Sequence, residues 1–185
     1  PQPTALPTVR TLTEAKVHSP SLAHRSAFAE KMTRELNVEV RTAARPQDAI
    51  DGADIVIAAT NATQPVVHGQ WLAPGTHITS IANGDKTRMR QEIDEATLRR
   101  ADAIFVTSKE TVCLNESDIF RAVRDRIISR ERVHEISSLL LGRVPGRTDD
   151  RQITLFKLQG TGIMDVALGL SAYERLKNSG VAQTL

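Results

Sequence analysis

Short groups of polar residues stand at the ends of three predicted strands. Ser19 and Ser21 close a strand at residues 14–19, with Arg25 just beyond; Thr60-Asn61 follows residues 54–59, and Asn83-Gly84-Asp85 follows residues 77–82. Open parallel sheets bind ligands outside the carboxyl ends of their strands, where hydroxyl, amide and carboxylate groups can hydrogen-bond a ligand. Each group also has a structural alternative, because Ser, Thr and Asn cap helices and Asn-Gly-Asp is a common turn.

The remaining reactive side chains lack the spacing of a metal or nucleophile site. No HxxxH or HExxH pattern joins the histidines, which are His18, His24, His68, His77 and His134. Cys113 has no second cysteine. Ser108-Lys109-Glu110 stands where a predicted strand ends and a helix begins, so helix capping explains it. The sequence therefore predicts no metal site.

Strands and helices alternate along the chain. Strand-length patterns occur at residues 14–19, 38–40, 54–59, 77–82, 103–107 and 153–156, and helical patterns after residue 21 and at 46–52, 93–101, 110–142 (mainly helical) and 160–179. Parallel neighbours need crossover connections, which are usually helical. The alternation therefore predicts an α/β fold with a doubly wound parallel sheet.

Composition limits the class of protein. The 185 residues suit one domain. The 24 basic residues nearly balance 22 acidic ones and are interleaved with them, which argues against nucleic-acid binding. No apolar run approaches the roughly 20 residues that span a membrane. A single cysteine and the lack of a charged-then-apolar leader predict a cytoplasmic location.

The first glycine of the chain is Gly52. Dinucleotide-binding folds normally carry a glycine-rich turn between their first strand and helix, since only glycine lets the backbone approach the pyrophosphate closely. Gly160-Thr161-Gly162 has no third glycine and no following βα unit, so packing or a helix start explains it better. Because the chain also begins with Pro1, we expect an N-terminal truncation.

Several segments, in order and spacing, resemble the nucleotide domain of the ornithine cyclodeaminase/mu-crystallin family. They include IDGADIV at 50–56, ATN at 59–61, GQWLAPGTH at 69–77, QEID at 91–94, GRVPGR at 142–147 and ITLFK at 153–157. The resemblance implies a Rossmann-like NAD(P)-binding domain that lacks its first strand and glycine-rich turn. It divides the chain into a loose remnant at 1–13, the domain at 14–157, and a C-terminal helix at 158–185 that returns toward an absent substrate domain.

The resemblance implies an NAD(P)-dependent oxidoreductase that acts on an amino acid or cyclic imine. A ketimine or pyrroline carboxylate reductase and an alanine dehydrogenase both fit this description. The alternatives are an ornithine cyclodeaminase, which releases ammonia, and a non-catalytic binding protein like mu-crystallin. A homodimer is expected for the full-length protein, and the fragment alone is expected to be inactive.

The resemblance also implies residue roles. Asp85 is the expected acid/base, although the loop is about two residues longer than the family pattern and Asn83 could take its place. Cofactor contacts are expected at Ser19, Ser21, Arg25, Thr60, Asn61, Ile81, Asn83 and Gly160, and Lys157 is expected to attract a substrate carboxylate. The strand end at Ser19 has no acid to hold the ribose diol of NAD, which favours NADP.

Overall fold

The computed structural model describes residues 5–82, 90–114, 117–160 and 162–179. The strands are β1 (Ala15–Val17), β2 (Val40–Thr42), β3 (Ile55–Ala58), β4 (His77–Ser80), β5 (Ala103–Val106), β6 (Val133–Glu135) and β7 (Thr154–Lys157). The α-helices are α1 (Leu22–Leu36), α2 (Pro46–Ile50), α3 (Glu95–Arg100), α4 (Lys109–Leu114), α5 (Asp118–Arg124), α6 (Ile136–Leu140) and α7 (Gly162–Asn178). Short 3₁₀ turns lie at Leu6–Thr8, Gly69–Trp71 and Arg130–Arg132.

Every pair of neighbouring strands named above is parallel, which confirms the predicted α/β class. Strands β1 and β2 form a small sheet, and the other five form a larger one in the order β3-β4-β7-β5-β6. Across the larger sheet, the last residues of the strands stand side by side: Ala58, Ser80, Lys157, Val106 and Glu135. The loops that leave these strands therefore begin along a single sheet edge.

Aliphatic residues form the core around the larger sheet. Ile78, Ile104, Val106 and Leu155 are completely buried, as expected for parallel strands covered on both faces. A second, smaller cluster of Ala29, Met32 and Val40 packs helix α1 against the two-stranded sheet. The two sheets therefore have separate hydrophobic clusters.

Two elements differ from the sequence prediction. Strand β6 lies inside the stretch 110–142, for which the sequence predicts mainly helix, and it pairs with β5 through only three residues, of which one is a buried aliphatic. Strand β2 begins at Val40, not at residue 38, because Asn37 takes a left-handed conformation (φ 52°) after helix α1. The amide of Val40 then donates to Thr33 Oγ1.

Helix α7 is exposed along its whole length. Its large exposed apolar side chains are Ile163, Met164, Val166, Leu168, Leu170, Tyr173 and Leu176. Of the helices in the described part of the chain, none is long and apolar enough to cross a membrane.

Candidate functional site

A buried carboxylate joins the loops that leave β3 and β4. Glu92 Oε1 accepts hydrogen bonds from the backbone amide and the hydroxyl of Thr60, at 2.6 and 2.9 Å. Its Oε2 accepts from Ser80 Oγ at 2.7 Å and from the amides of Ile81 and Ala82, both at 2.8 Å. Glu92 has no exposed surface. One carboxylate thus satisfies five donors from two neighbouring loops.

Lys157 continues this network beneath the sheet edge. Its ammonium is completely buried and donates to Ser80 Oγ (2.9 Å), to the carbonyl of Ala82 and to Asp118 Oδ2 (3.2 Å). Burial raises the pKa of the Asp118 carboxyl above its ordinary value, against the lowering effect of Lys157. All three acceptors belong to the protein, and the predicted contact of Lys157 with a substrate stays a prediction.

Ser19, Ser21 and Arg25 lie together where β1 leads into α1. Ser21 is the N-cap of the helix, and its hydroxyl accepts from the amide of His24 at 3.3 Å. Arg25 donates from a terminal nitrogen to the carbonyl of Ser19 at 3.1 Å. The Arg25 Nε is buried and has no hydrogen-bond partner in the described part of the chain. Capping therefore accounts for Ser21, and Arg25 retains an unused donor.

Thr60 and Asn61 lie in the turn after β3. The Thr60 hydroxyl donates to Glu92 and accepts from the amide of Ala62 at 3.2 Å, so it serves the turn itself. Asn61 is exposed. Ile81 is half-buried, and its amide also lies near the carbonyl of Ala58, at 3.0 Å. Three of the predicted cofactor contacts, Thr60, Asn61 and Ile81, thus follow two adjacent strands at one edge.

The histidines with described contacts serve the fold. His68 Nδ1 lies 3.0 Å from Asp94, which also caps helix α3, and His77 Nδ1 lies 2.8 Å from Thr154 Oγ1 at the amino-terminal ends of β4 and β7. Across residues 5–82, 90–114, 117–160 and 162–179, no three His, Cys, Asp or Glu side chains are grouped as metal ligands would be.

Comparison with known proteins gives a match to one family model. The model of the ornithine cyclodeaminase/mu-crystallin family matches residues 2–180. The chain belongs to this family.

The chain is also similar to solved structures and to curated sequences. A Δ1-pyrroline-2-carboxylate reductase of Thermococcus litoralis, solved with NADH and L-proline, is 34% identical, with a TM-score of 0.91 over 100% of this chain and 56% of that one. An archaeal alanine dehydrogenase dimer with bound NAD is 26% identical, with a TM-score of 0.87 over 100% of this chain and 56% of that one. The ketimine reductase mu-crystallin of Mus musculus is 27% identical over 79% of this chain and 43% of its own length.

The chain spans about half the length of the family members that it matches. Of the residues predicted from the family resemblance, Asn83 and Asp85 lie outside the described residues. Gly160 is exposed, and a side chain at its position would meet no atom within 4 Å. The roles predicted for these three residues remain predictions.

Two polar residues of the site were not predicted from the sequence. Glu92 lies in a segment that resembles the family, but its donors are 10 to 32 residues away, and no local pattern reveals them. Gln159 follows β7 by two residues, and its amide nitrogen and oxygen are both buried without hydrogen-bond partners among the described residues. The alternation of β7 could have indicated its burial, since Leu155, Lys157 and Gln159 are two residues apart and all buried.

Proposed function

We propose that the protein carrying this chain is an NAD(P)-dependent oxidoreductase that reduces a cyclic imine or oxidises the corresponding amino acid. The observation that carries the proposal is the superposition of the whole chain on 56% of the pyrroline-2-carboxylate reductase solved with NADH and L-proline. Parallel sheets of this class bind dinucleotides across the carboxyl ends of their strands. In this chain, that edge carries the loops tied together by Glu92 and Lys157.

The polar residues after β1 fit the adenosine half of such a cofactor. In dinucleotide folds, the end of the second strand contacts the adenosine ribose, and by the family resemblance β1 corresponds to that second strand. A carboxylate at this strand end selects the diol of NAD, and an arginine accommodates the 2′-phosphate of NADP. Residues 18–25 contain no carboxylate. The guanidinium of Arg25 is only partly buried and can donate hydrogen bonds to an anion. We therefore propose NADP as the preferred cofactor, held at this end by Ser19, Ser21 and Arg25.

The residues after β7 fit the nicotinamide half. A glutamine side chain has one hydrogen-bond acceptor and two donors, and both ends of the Gln159 amide lack partners in the described structure. The carboxamide of nicotinamide offers the complementary donor and acceptor, whereas a carboxylate offers acceptors only. We propose that Gln159 and the turns at Thr60, Asn61, Ile81 and Gly160 face this half of the cofactor.

A reduced nicotinamide, when bound, supplies a hydride to the carbon of the C=N bond. The ring nitrogen must then gain a proton, so the protein has to hold a proton donor close to that atom. We propose Asp85 for this role, as the family resemblance implies, because a carboxyl group can donate a proton to the nitrogen of the substrate. In the opposite direction the same carboxylate accepts the proton.

The test compares the 185-residue chain with the protein as its gene encodes it. NADPH and NADH are titrated against both by fluorescence, and reduction of Δ1-pyrroline-2-carboxylate to proline is followed as loss of the reduced cofactor. We expect the encoded protein to bind NADPH and to form proline, and Asp85→Asn to lower kcat by about 10²-fold or more. Binding of neither cofactor by either protein would reject the proposal.

Arg25 gives a prediction about cofactor choice. Replacement Arg25→Leu removes the group proposed to meet the 2′-phosphate, so NADPH affinity should fall about tenfold while NADH affinity changes by less than about twofold. Arg34→Leu is the matched control, since Arg34 is exposed in the last turn of the same helix. Equal loss of both cofactors in Arg25→Leu would remove the argument for NADP.

The oligomeric state of the whole protein follows as a further part of the proposal. The alanine dehydrogenase that superposes on this chain is described as a dimer. We propose a homodimer for the encoded protein, and light scattering coupled to size-exclusion chromatography measures its mass directly.

A further inference from the structure

Glu92 is a completely buried carboxylate whose hydrogen bonds in the described structure come from backbone amides and hydroxyls and not from a basic side chain. Taking a carboxylate out of water is costly unless several donors satisfy its oxygens. Here three backbone amides and two hydroxyls do so. Its charge is compensated one step away, because Ser80 Oγ donates to Glu92 and accepts from the Lys157 ammonium.

The five donors belong to two different loops, and each carboxylate oxygen accepts hydrogen bonds from one of the two loops. Among the described residues, Oε1 accepts from Thr60, after β3, while Oε2 accepts from Ser80, Ile81 and Ala82, at the end of β4. Lys157 takes the carbonyl of Ala82 from the other side. The backbone amide of Ala82 is therefore bound by Glu92 and its carbonyl by Lys157, directly after strand β4.

We propose that Glu92 is a positioning residue for the nicotinamide end of the cofactor, an inference that rests on the proposed function. A dinucleotide lies across two mononucleotide halves of the sheet, and the adenosine half belongs to the strand pair β1-β2. The loops tied by Glu92 follow β3 and β4, in the other half. Without the carboxylate, the distance between those two loops is no longer fixed by hydrogen bonds. The turn at Ser19 is unaffected.

The proposal predicts that a substitution of Glu92 affects the binding of two kinds of ligand differently. ADP-ribose lacks only the nicotinamide ring, so it reports the contacts to the rest of the cofactor, whereas NADPH and NADH also report the contacts to the ring. In Glu92→Gln, an amide NH₂ group replaces one carboxylate oxygen. This group is itself a donor, so it cannot accept the hydrogen bonds of the backbone amides. We expect the affinity of the encoded protein for its preferred reduced cofactor to fall about tenfold, with kcat falling as well, while ADP-ribose affinity stays within about twofold.

Two further variants keep the experiment decisive. Glu95→Gln makes the same chemical change three residues away, on an exposed glutamate of α3, and should leave every value unchanged. Ser80→Ala removes only the hydroxyl between Glu92 and Lys157, and should lower the affinity for the reduced cofactor by a smaller factor while ADP-ribose affinity again stays within about twofold. If Glu92→Gln does not fold, as judged by circular dichroism, the two affinities measured in Ser80→Ala test the positioning role instead.

The outcomes distinguish this inference from the proposed function. Selective loss of the nicotinamide-containing ligand supports the positioning role. Parallel loss of ADP-ribose and the reduced cofactor, or loss of neither, overturns it and leaves Glu92 as a purely structural residue. Failure of the unsubstituted protein to bind any of these ligands would instead reject the proposed function.

Discussion

His77 is a half-buried histidine placed away from the proposed site. It is the first residue of β4, whereas Ser80, at the other end of the strand, faces the network of Glu92. Burial lowers the pKa of His77 below its ordinary value of 6.5, and the nearby Arg147 lowers it further. Its Nδ1 lies against Thr154 Oγ1 and its Nε2 against Thr79 Oγ1.

A stability prediction follows from this depressed pKa. The unfolded chain binds the proton more readily than the folded one, so the stability is present above about pH 6.5 and is lost as pH falls through the folded-state pKa. His77→Asn can keep the hydrogen bond to Thr154 without titrating. Its free energy of unfolding, measured by urea titration from about pH 7.5 to about pH 5, should fall less steeply than that of the unsubstituted chain.

The matched control is His24→Asn, because His24 is exposed on helix α1. It should follow the unsubstituted chain across the whole pH range. An unchanged pH dependence in His77→Asn would show that another group carries the effect.

Local patterns were enough to predict some site residues and not others. Ser21 and Thr60 stand at strand ends, and both the capping of Ser21 and the turn at Thr60 follow from residue type and position. The hydrogen bonds of Glu92 and the ion pair of Lys157 with Asp118 join residues 10 to 39 apart. Such contacts depend on the order of strands in the sheet, which the sequence alone did not provide.

The strands of the larger sheet were predicted almost to the residue where an apolar run marked them. Residues 54–59 and 103–107 enclose β3 and β5, because buried parallel strands need apolar stretches, and residues 77–82, predicted from the alternation of strands and helices, enclose β4. Strand β6 has the sequence Val-His-Glu and lies at the edge of the sheet, so it carries no such run. Its pairing with β5, not its composition, makes it a strand.

Gly69 sets how closely a 3₁₀ turn approaches helix α3. A side-chain carbon at this position would overlap the backbone of Ala96 and Thr97. Backbone atoms cannot move aside as a flexible side chain can, so Gly69→Ala should lower the free energy of unfolding by about 1–3 kcal/mol. Denaturant titration measures the change.

Gly169→Ala provides the opposite case within the same chain. Gly169 lies inside helix α7, and an added carbon would meet no atom within 4 Å. Alanine is the better helix former by up to about 1 kcal/mol, so this variant should be neutral or slightly more stable. Similar losses in the two variants would contradict the close packing at Gly69.

At the scale of the whole molecule, the two sheets form two units with separate hydrophobic clusters. The smaller cluster contains only Ala29, Met32 and Val40 among its fully buried members, while the larger one surrounds five strands. A small apolar cluster stabilises its surroundings less, because the stabilisation scales with buried apolar area. We expect β1, α1 and β2 to open more often than the larger sheet.

Hydrogen–deuterium exchange tests this difference. Amides of β1 and β2 should exchange at least about tenfold faster than those of β4 and β7. A dinucleotide that spans both units would hold them together, so bound NADPH should slow exchange in the smaller unit more than in the larger one. Uniform exchange across both sheets would show that the chain unfolds as a single cooperative unit.

Helix α7 has a practical consequence for work with the isolated chain. Its leucines and other large apolar side chains face water along some five turns, and an apolar area of this kind adsorbs to air–water interfaces, plastic and chromatography resin. Recovery from a column should therefore rise when a mild non-ionic detergent is added. Truncation before Gly162 should have the same effect without detergent, which would trace the losses to this helix.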